Sequence, residues 1–169
     1  MPNTVLTKQN YLSSTRAVIT IPGLDNLSLT ATAWNLPGVS TGSPLQVTTS
    51  TDIPHTGDDL LSDVFRIEFM VLEDLSNWIE IYKWIISITD PRRTTNWTNK
   101  QGTYLTGNMI ISSSHNNPIA EITFNNMIPI TLTEIPFLTA YNETDYVKCT
   151  ADFRYSDFII KLPDGTEYI

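Results

Sequence analysis

The stretch FRIEFMVLEDLSNWIEIYKWIISI, Phe65 to Ile88, changes its period half way along. Phe65, Ile67, Phe69 and Val71 alternate with Arg66, Glu68 and Met70, the two-residue rhythm of a strand with one buried face. From Leu75 onward the spacing is three to four: Leu75, Trp78, Ile81 or Tyr82, Ile85 and Ile88 make one apolar stripe of a helix. Asp74 or Ser76 is placed to cap the first free N–H groups, and acidic residues at that end suit the helix dipole. Pro91 stops the helix by disfavouring helical geometry at Asp90. A stripe this apolar must cover a sheet face or plug the open end of a barrel. Trp84, Ile79 and Ile86 fall off the stripe. A second apolar face on one helix is natural where the helix also meets another subunit.

Upstream, Ala17, Ile19 and Ile21 alternate and stop at Pro22-Gly23. Leu27, Leu29, Ala31 and Ala33 then alternate again, which predicts a hairpin turning through PGLDN. Residues 37–63 contain few large apolar side chains, and LQVTTSTDI alternates weakly. This segment reads as an extension reaching away from the core, either a strand with one wet side or one arm of a long hairpin.

Downstream, TNKQGTYLTG reads as a loop. NMIISSS and IAEITFNNMIPITL read as two strands joined at HNNP. Pro129 is expected to bend the second strand or end it at a sheet edge. In DYVKCTADFRY, Val147, Cys149, Ala151, Phe153 and Tyr155 share one face, with Tyr146, Lys148, Thr150, Asp152 and Arg154 on the other. DFIIKL finishes the sheet. The expected fold is mainly β (α+β), an antiparallel β-sandwich or small barrel with one flanking α-helix. It consists of an N-terminal arm over residues 1–14 and a single domain over residues 15–169.

The 169 residues suffice for one domain with a core, and a hydrophobic fraction of 41% argues against disorder. No apolar run is long enough to predict a membrane span, and MPNTVLTKQNYLSS lacks the apolar core of a secretory leader. Cys149 is the single cysteine, which excludes an intrachain disulfide and a cysteine-built zinc site. Sequons at Asn26, Asn96 and Asn142 read as chance in a chain rich in Asn and Thr. Eighteen acidic against ten basic residues give a formal charge of -8, the reverse of what gripping phosphates requires.

No convergent catalytic set emerges, and neither an enzyme nor a cofactor is expected. His55 and His115 lie in polar loops without metal-binding spacing. Asp58, Asp59 and Asp63 lack the ligand alternation of a calcium loop. Cys149 reads as an inert buried thiol. Glu68, Glu73 and Glu80 are not placed as a carboxylate pair by anything in the sequence, and the phosphate-cradling and nucleophile-elbow motifs are absent. A carbohydrate-binding module, with Trp97 and Tyr104 around a groove, is the alternative from another functional class.

The stretch VFRIEFMVLEDLSNWIEIYKWIISITDP resembles the strand–helix segment of phage tail tube proteins. The matching residues are Phe65, Ile67, Phe69, Val71, Glu73, Asp74, Leu75, Asn77, Trp78, Tyr82 and Trp84. NMIISSSHNNPIAEITFNNMIPITLTEIPF and TDYVKCTADFRYSDFII are similar to the family's paired strands and closing aromatic strand, and ATAWNLPGVSTG to its early LPG loop. Together they span roughly residues 16–161 in the family's order.

The resemblance implies a virion structural protein: six copies form a ring whose inner strands close into a shared barrel. Stacked rings enclose a lumen that DNA crosses without specific binding. The implied partners are identical subunits together with sheath, baseplate or terminator proteins, with assembly in the host cytoplasm and no membrane. A tube initiator, baseplate component or terminator of the same fold is the alternative within the class. On this reading Trp84, Ile79, Ile86, Leu45, Val47, His55, Asp58 and Asp59 are the candidates for subunit contacts.

Overall fold

The computed structural model describes residues 17–47, 49–89, 104–137 and 146–168, together with Leu12. The chain begins with β1 (Ala17–Thr20), the short helix α1 (Asp25–Thr30) and β2 (Ala31–Trp34). Four three-residue strands follow: β3 (Val39–Thr41), β4 (Leu45–Val47), β5 (Asp52–Pro54) and β6 (Leu60–Ser62). Next come β7 (Phe65–Met70), α2 (Ser76–Thr89), β8 (Leu105–Ser112) and β9 (Pro118–Leu132). The chain closes with β10 (Lys148–Arg154), β11 (Asp157–Lys161) and β12 (Glu167–Tyr168).

The long strand β9 organises the sandwich because it belongs to both layers. Its first part pairs with β8 and β11, and its residues 128–132 pair with β10. One layer is therefore β1-β8-β9-β11-β12 and the other β9-β10-β7-β2, every neighbouring pair antiparallel. The change of layer falls at Asn126, which takes a left-handed φ of 52° that Asn tolerates better than most residues. Pro129 follows beside a register slip opposite Asp152 and Phe153. The expected bend is present, and beyond it β9 lies at an edge of the second layer.

Between the layers sits an aromatic core. Phe65 on β7 stacks on Phe124 of β9 at 4.7 Å, and Phe153 on β10 lies 6.4 Å from Phe65. All three are fully buried, as are Ile67, Phe69 and Ala151, so the alternation in β7 and β10 divides core from solvent as the sequence predicts.

One expected element is replaced. The hairpin through PGLDN does not form: residues 25–30 make α1, β1 pairs with β8, and β2 pairs with β7. The apparent alternation of Leu27 and Leu29 is broken by burial, since Leu27 is covered while Leu29 is 84% exposed. Leu24 and Leu27, three apart, are the buried pair. The Ser28 hydroxyl bonds the Leu24 carbonyl, and Thr30 that of Asn26. Short polar side chains that satisfy nearby backbone groups turn a weak strand pattern into a local coil. Among the described residues the sandwich thus carries two helices, not one. The expected loop before β8 is also shorter than predicted, because β8 already begins at Leu105.

The strand-to-helix junction is held by Asn77, the single buried polar residue of the described core. Its amide donates to the Met70 carbonyl at 2.7 Å and to the Thr30 hydroxyl at 2.8 Å. Its oxygen accepts from the backbone N–H of Leu72 and Trp78. One side chain therefore ties the end of β7, the start of α2 and the end of α1. Leu75 accepts the N–H of Ile79 and adopts a φ of 58°, the sharp corner that lets the strand feed the helix directly. Asp74 receives the Ser76 N–H at 3.0 Å, one of the two predicted caps. The predicted stop at Asp90–Pro91 lies outside the described residues.

Candidate self-assembly surface

Residues 39–47 and 49–62 form a long two-stranded hairpin. Val39, Ser40 and Thr41 pair with Ser62, Leu61 and Leu60, and further out Leu45, Gln46 and Val47 pair with Pro54, Ile53 and Asp52. Between the two ladders the backbones of Gly42 and Gly57 pass so closely that a Cβ on Gly57 would collide with the Gly42 carbonyl. Every described residue from 43 to 56 is exposed. Directly paired residues share a face, so Leu45, Val47 and Pro54 lie together and Ile53 lies opposite with Gln46. Val47 is 80% and Leu60 73% exposed, with Val39, Leu45, Ile53 and Leu61 also uncovered. A solitary two-stranded ribbon with this much apolar surface in water lacks the third strand or packing partner that stabilises hairpins.

The hairpin root is clamped. Asn35 donates to the Val64 carbonyl and accepts the Arg66 N–H at 2.7 Å; the Asp63 N–H bonds the Gly38 carbonyl, and the Tyr155 hydroxyl donates to the Asp63 carbonyl at 3.1 Å. Burial raises the Tyr155 pKa first, and the nearby Asp63 charge raises it further, so this donor stays protonated at neutral pH.

The layer β9-β10-β7-β2 has two distinctive properties. Its outer face is polar: Arg66 forms a two-pronged pair with Asp152 at 2.7 and 3.0 Å, and Lys148 meets Glu68 at 3.0 Å. The Asp152 pair raises the Arg66 pKa. These two pairs neutralise four charges and leave Arg154 without an ionic partner among the described residues. Secondly, both borders are open. Among the described residues β2 pairs only with β7, and residues 128–132 of β9 pair only with β10. Where the polar face meets the hairpin root, a cleft of about 550 Å³ opens between Trp34, Asn35, Asp63, Arg66, Glu68 and Arg154.

The structure sorts the candidate contact residues. Trp84 is 9% exposed, with its ring 5.9 Å from Phe153, and it belongs to the core cluster. It is reassigned from contact surface to core, because the buried stripe of α2 runs through Asn77, Ile81 and Trp84. Asn77 shifts that stripe: a polar residue at its start hid its direction from a reading based on hydrophobicity. Ile79 is half-buried and Ile86 exposed, while Tyr82 stacks on Trp78 at 5.3 Å and stays on the surface. Leu45, Val47, His55, Asp58 and Asp59 are brought together on the hairpin, all exposed, with the His55 ring 3.0 Å from the Gln46 amide oxygen.

Among the described residues no group of three or more His, Cys, Asp or Glu could hold a metal ion. His115 lies in the β8–β9 turn beside Ser114. Asn26 is half-buried and bonded to Glu80 between the helices, unlike a glycosylated side chain; Asn96 and Asn142 lie outside the described residues. Tyr104 is exposed, and Trp97 lies outside the described residues. Among the described residues no helix is long and apolar enough to cross a membrane.

No protein-family model matches the sequence, and no curated protein matches it significantly. Solved structures do match. A chain of the anti-feeding prophage tube terminating cap superposes with a TM-score of 0.65 at 13% identity, covering 96% of this chain and 99% of that one. A chain of the 6-fold symmetrised anti-feeding prophage baseplate gives 0.62 at 9% identity over 91% and 97%. A chain of the sheath-tube complex of PVC, an extracellular contractile injection system, gives 0.58 at 12% identity over 91% and 93%. At such identities the likeness is one of fold, and it extends over nearly the whole length on both sides. The chain has the tail-tube-like fold found in tube, cap and baseplate assemblies of contractile injection systems.

Proposed function

We propose that this protein is a non-enzymatic structural subunit of a bacteriophage tail tube, joining identical copies into rings around a channel for genome delivery. The observation that carries the reading is the layer β9-β10-β7-β2, with a polar outer face and two borders that are unpaired among the described residues. Its strands alternate in direction and are even in number. A copy placed beside it therefore meets β2 with its own residues 128–132 antiparallel, and the alternation continues without interruption. The two borders differ, so the junction is heterologous and closes into a ring when the rotation per copy is right.

Sixfold closure, the symmetry applied to the similar baseplate, gives a barrel of 24 strands. At about 4.8 Å per strand the circumference is about 115 Å, and strand tilt widens the barrel to a diameter of roughly 40–50 Å. The polar face then lines the channel. Its charges are mostly paired, so phosphates find few free cations to hold them, and the overall charge of -8 opposes sticking. The hairpin reaches from the root of this layer towards neighbouring copies, which cover its apolar residues. The further partners are sheath, baseplate or terminator proteins, and the site of action is the virion tail after assembly in the host cytoplasm.

Negative-stain electron microscopy of the purified chain tests the reading. Rings with a central channel are expected; a chain that stays monomeric at high concentration contradicts it. A tube-ending cap is the second reading, favoured by the near-complete superposition on the cap chain. It predicts single rings that never stack, where a tube subunit yields extended cylinders.

A further inference from the structure

We infer that the cleft at the hairpin root is a receptor for the Asp58–Asp59 pair of a second copy, with Arg154 as the receiving cation. This rests on the ring-forming reading and names the contact that locks neighbours together. From Asn35 to Val64 the chain contains Asp52, Asp58, Asp59 and Asp63 and no Lys or Arg, so the whole hairpin is acidic. The cleft beneath its root is lined by Arg66 and Arg154 together with Asp63 and Glu68. Arg66 is held by Asp152, and Glu68 by Lys148. Arg154 is exposed, lines the cleft and has no ion pair among the described residues. Asp63 lines the same cleft and forms no ion pair with Arg154.

The acidic pair is selected by its two adjacent charges: Asp58 and Asp59 are both exposed, whereas Asp52 stands alone near the far end of the hairpin and Asp63 already lines the cleft. The apolar residues beside the pair, Leu60 and Leu61, are exposed in the single chain and gain cover in the same step.

A charge exchange tests this with the full chain, read by sedimentation velocity and electron microscopy, with urea midpoints confirming unchanged folding. Arg154→Glu alone, and Asp58→Arg with Asp59→Arg, should each weaken self-association at least tenfold at about 0.1 M salt, where exposed ion pairs still act. The combined variant should recover to within about threefold of the parent. Reversals that leave association unaltered, or a combined variant no better than the weaker parent, overturn the cleft assignment while rings stand. A parent chain that never associates overturns the ring reading and the cleft together.

Discussion

Asn77 shows how one residue decides a junction. Four hydrogen bonds satisfy its buried amide, and each holds a different piece of backbone or side chain. Asn77→Ala would strand the Met70 carbonyl and the Leu72 N–H, costing about 2–4 kcal/mol in urea denaturation. Trp84→Ala leaves a core cavity beside Phe153 and should cost about 3–5 kcal/mol in the monomer, measured the same way. A midpoint unchanged by this substitution would return Trp84 to the contact surface. Cys149 is buried, with its Sγ 3.3 Å from the Glu134 carbonyl, and burial raises its pKa above 9.0. It should resist a thiol reagent at about pH 8 while the chain is folded and react fully once unfolded. The burial of this thiol was legible from alternation alone. The roles of Asn77 and Trp84 were not, because a polar pin within a stripe disguises the direction that the stripe faces.

Among the elements, β7 and β10 were legible because each alternates over enough residues for burial to be unambiguous, and β8, β9 and β11 because turn formers bound their apolar runs. The segment that became α1 was misread as a strand because Leu27 and Leu29 alternate, whereas the buried pair is Leu24 and Leu27, three apart, and Ser28 and Thr30 bond back to nearby carbonyls. Helix α2 was found, and its start carries a pH signature. The Ser76 N–H lowers the Asp74 pKa below 3.8, so the folded state favours the charged carboxylate. That contribution is present above pH 3.8 and vanishes as pH falls through the lower folded value. The urea-midpoint gap between the parent and Asp74→Asn should therefore be constant from about pH 7 to about pH 5 and close as pH falls through the lowered folded value. The hairpin contributes little to the fold that bears it. Replacing residues 43–56 by a short Gly-containing turn should change monomer stability by no more than about 0.5 kcal/mol and abolish ordered stacking. A large loss of monomer stability would place the hairpin within the folding unit.

For the whole molecule, the layered arrangement followed from the order of strands, while the division of β9 between two layers did not. No sequence period marks a strand that changes partners; Asn126 at positive φ and Pro129 three residues on are the local traces of it. The open borders likewise escape a one-chain reading, because pairing partners are a property of topology. The account centres on those borders: residues 31–34 of one copy completed by residues 128–132 of the next. Cryo-electron microscopy of the assembled full-length chain, at a resolution that separates strands, tests this directly. The map should show an unbroken antiparallel barrel in which these two segments lie about 4.8 Å apart across every subunit boundary. Rings joined through other surfaces, with both borders still facing solvent, would contradict it.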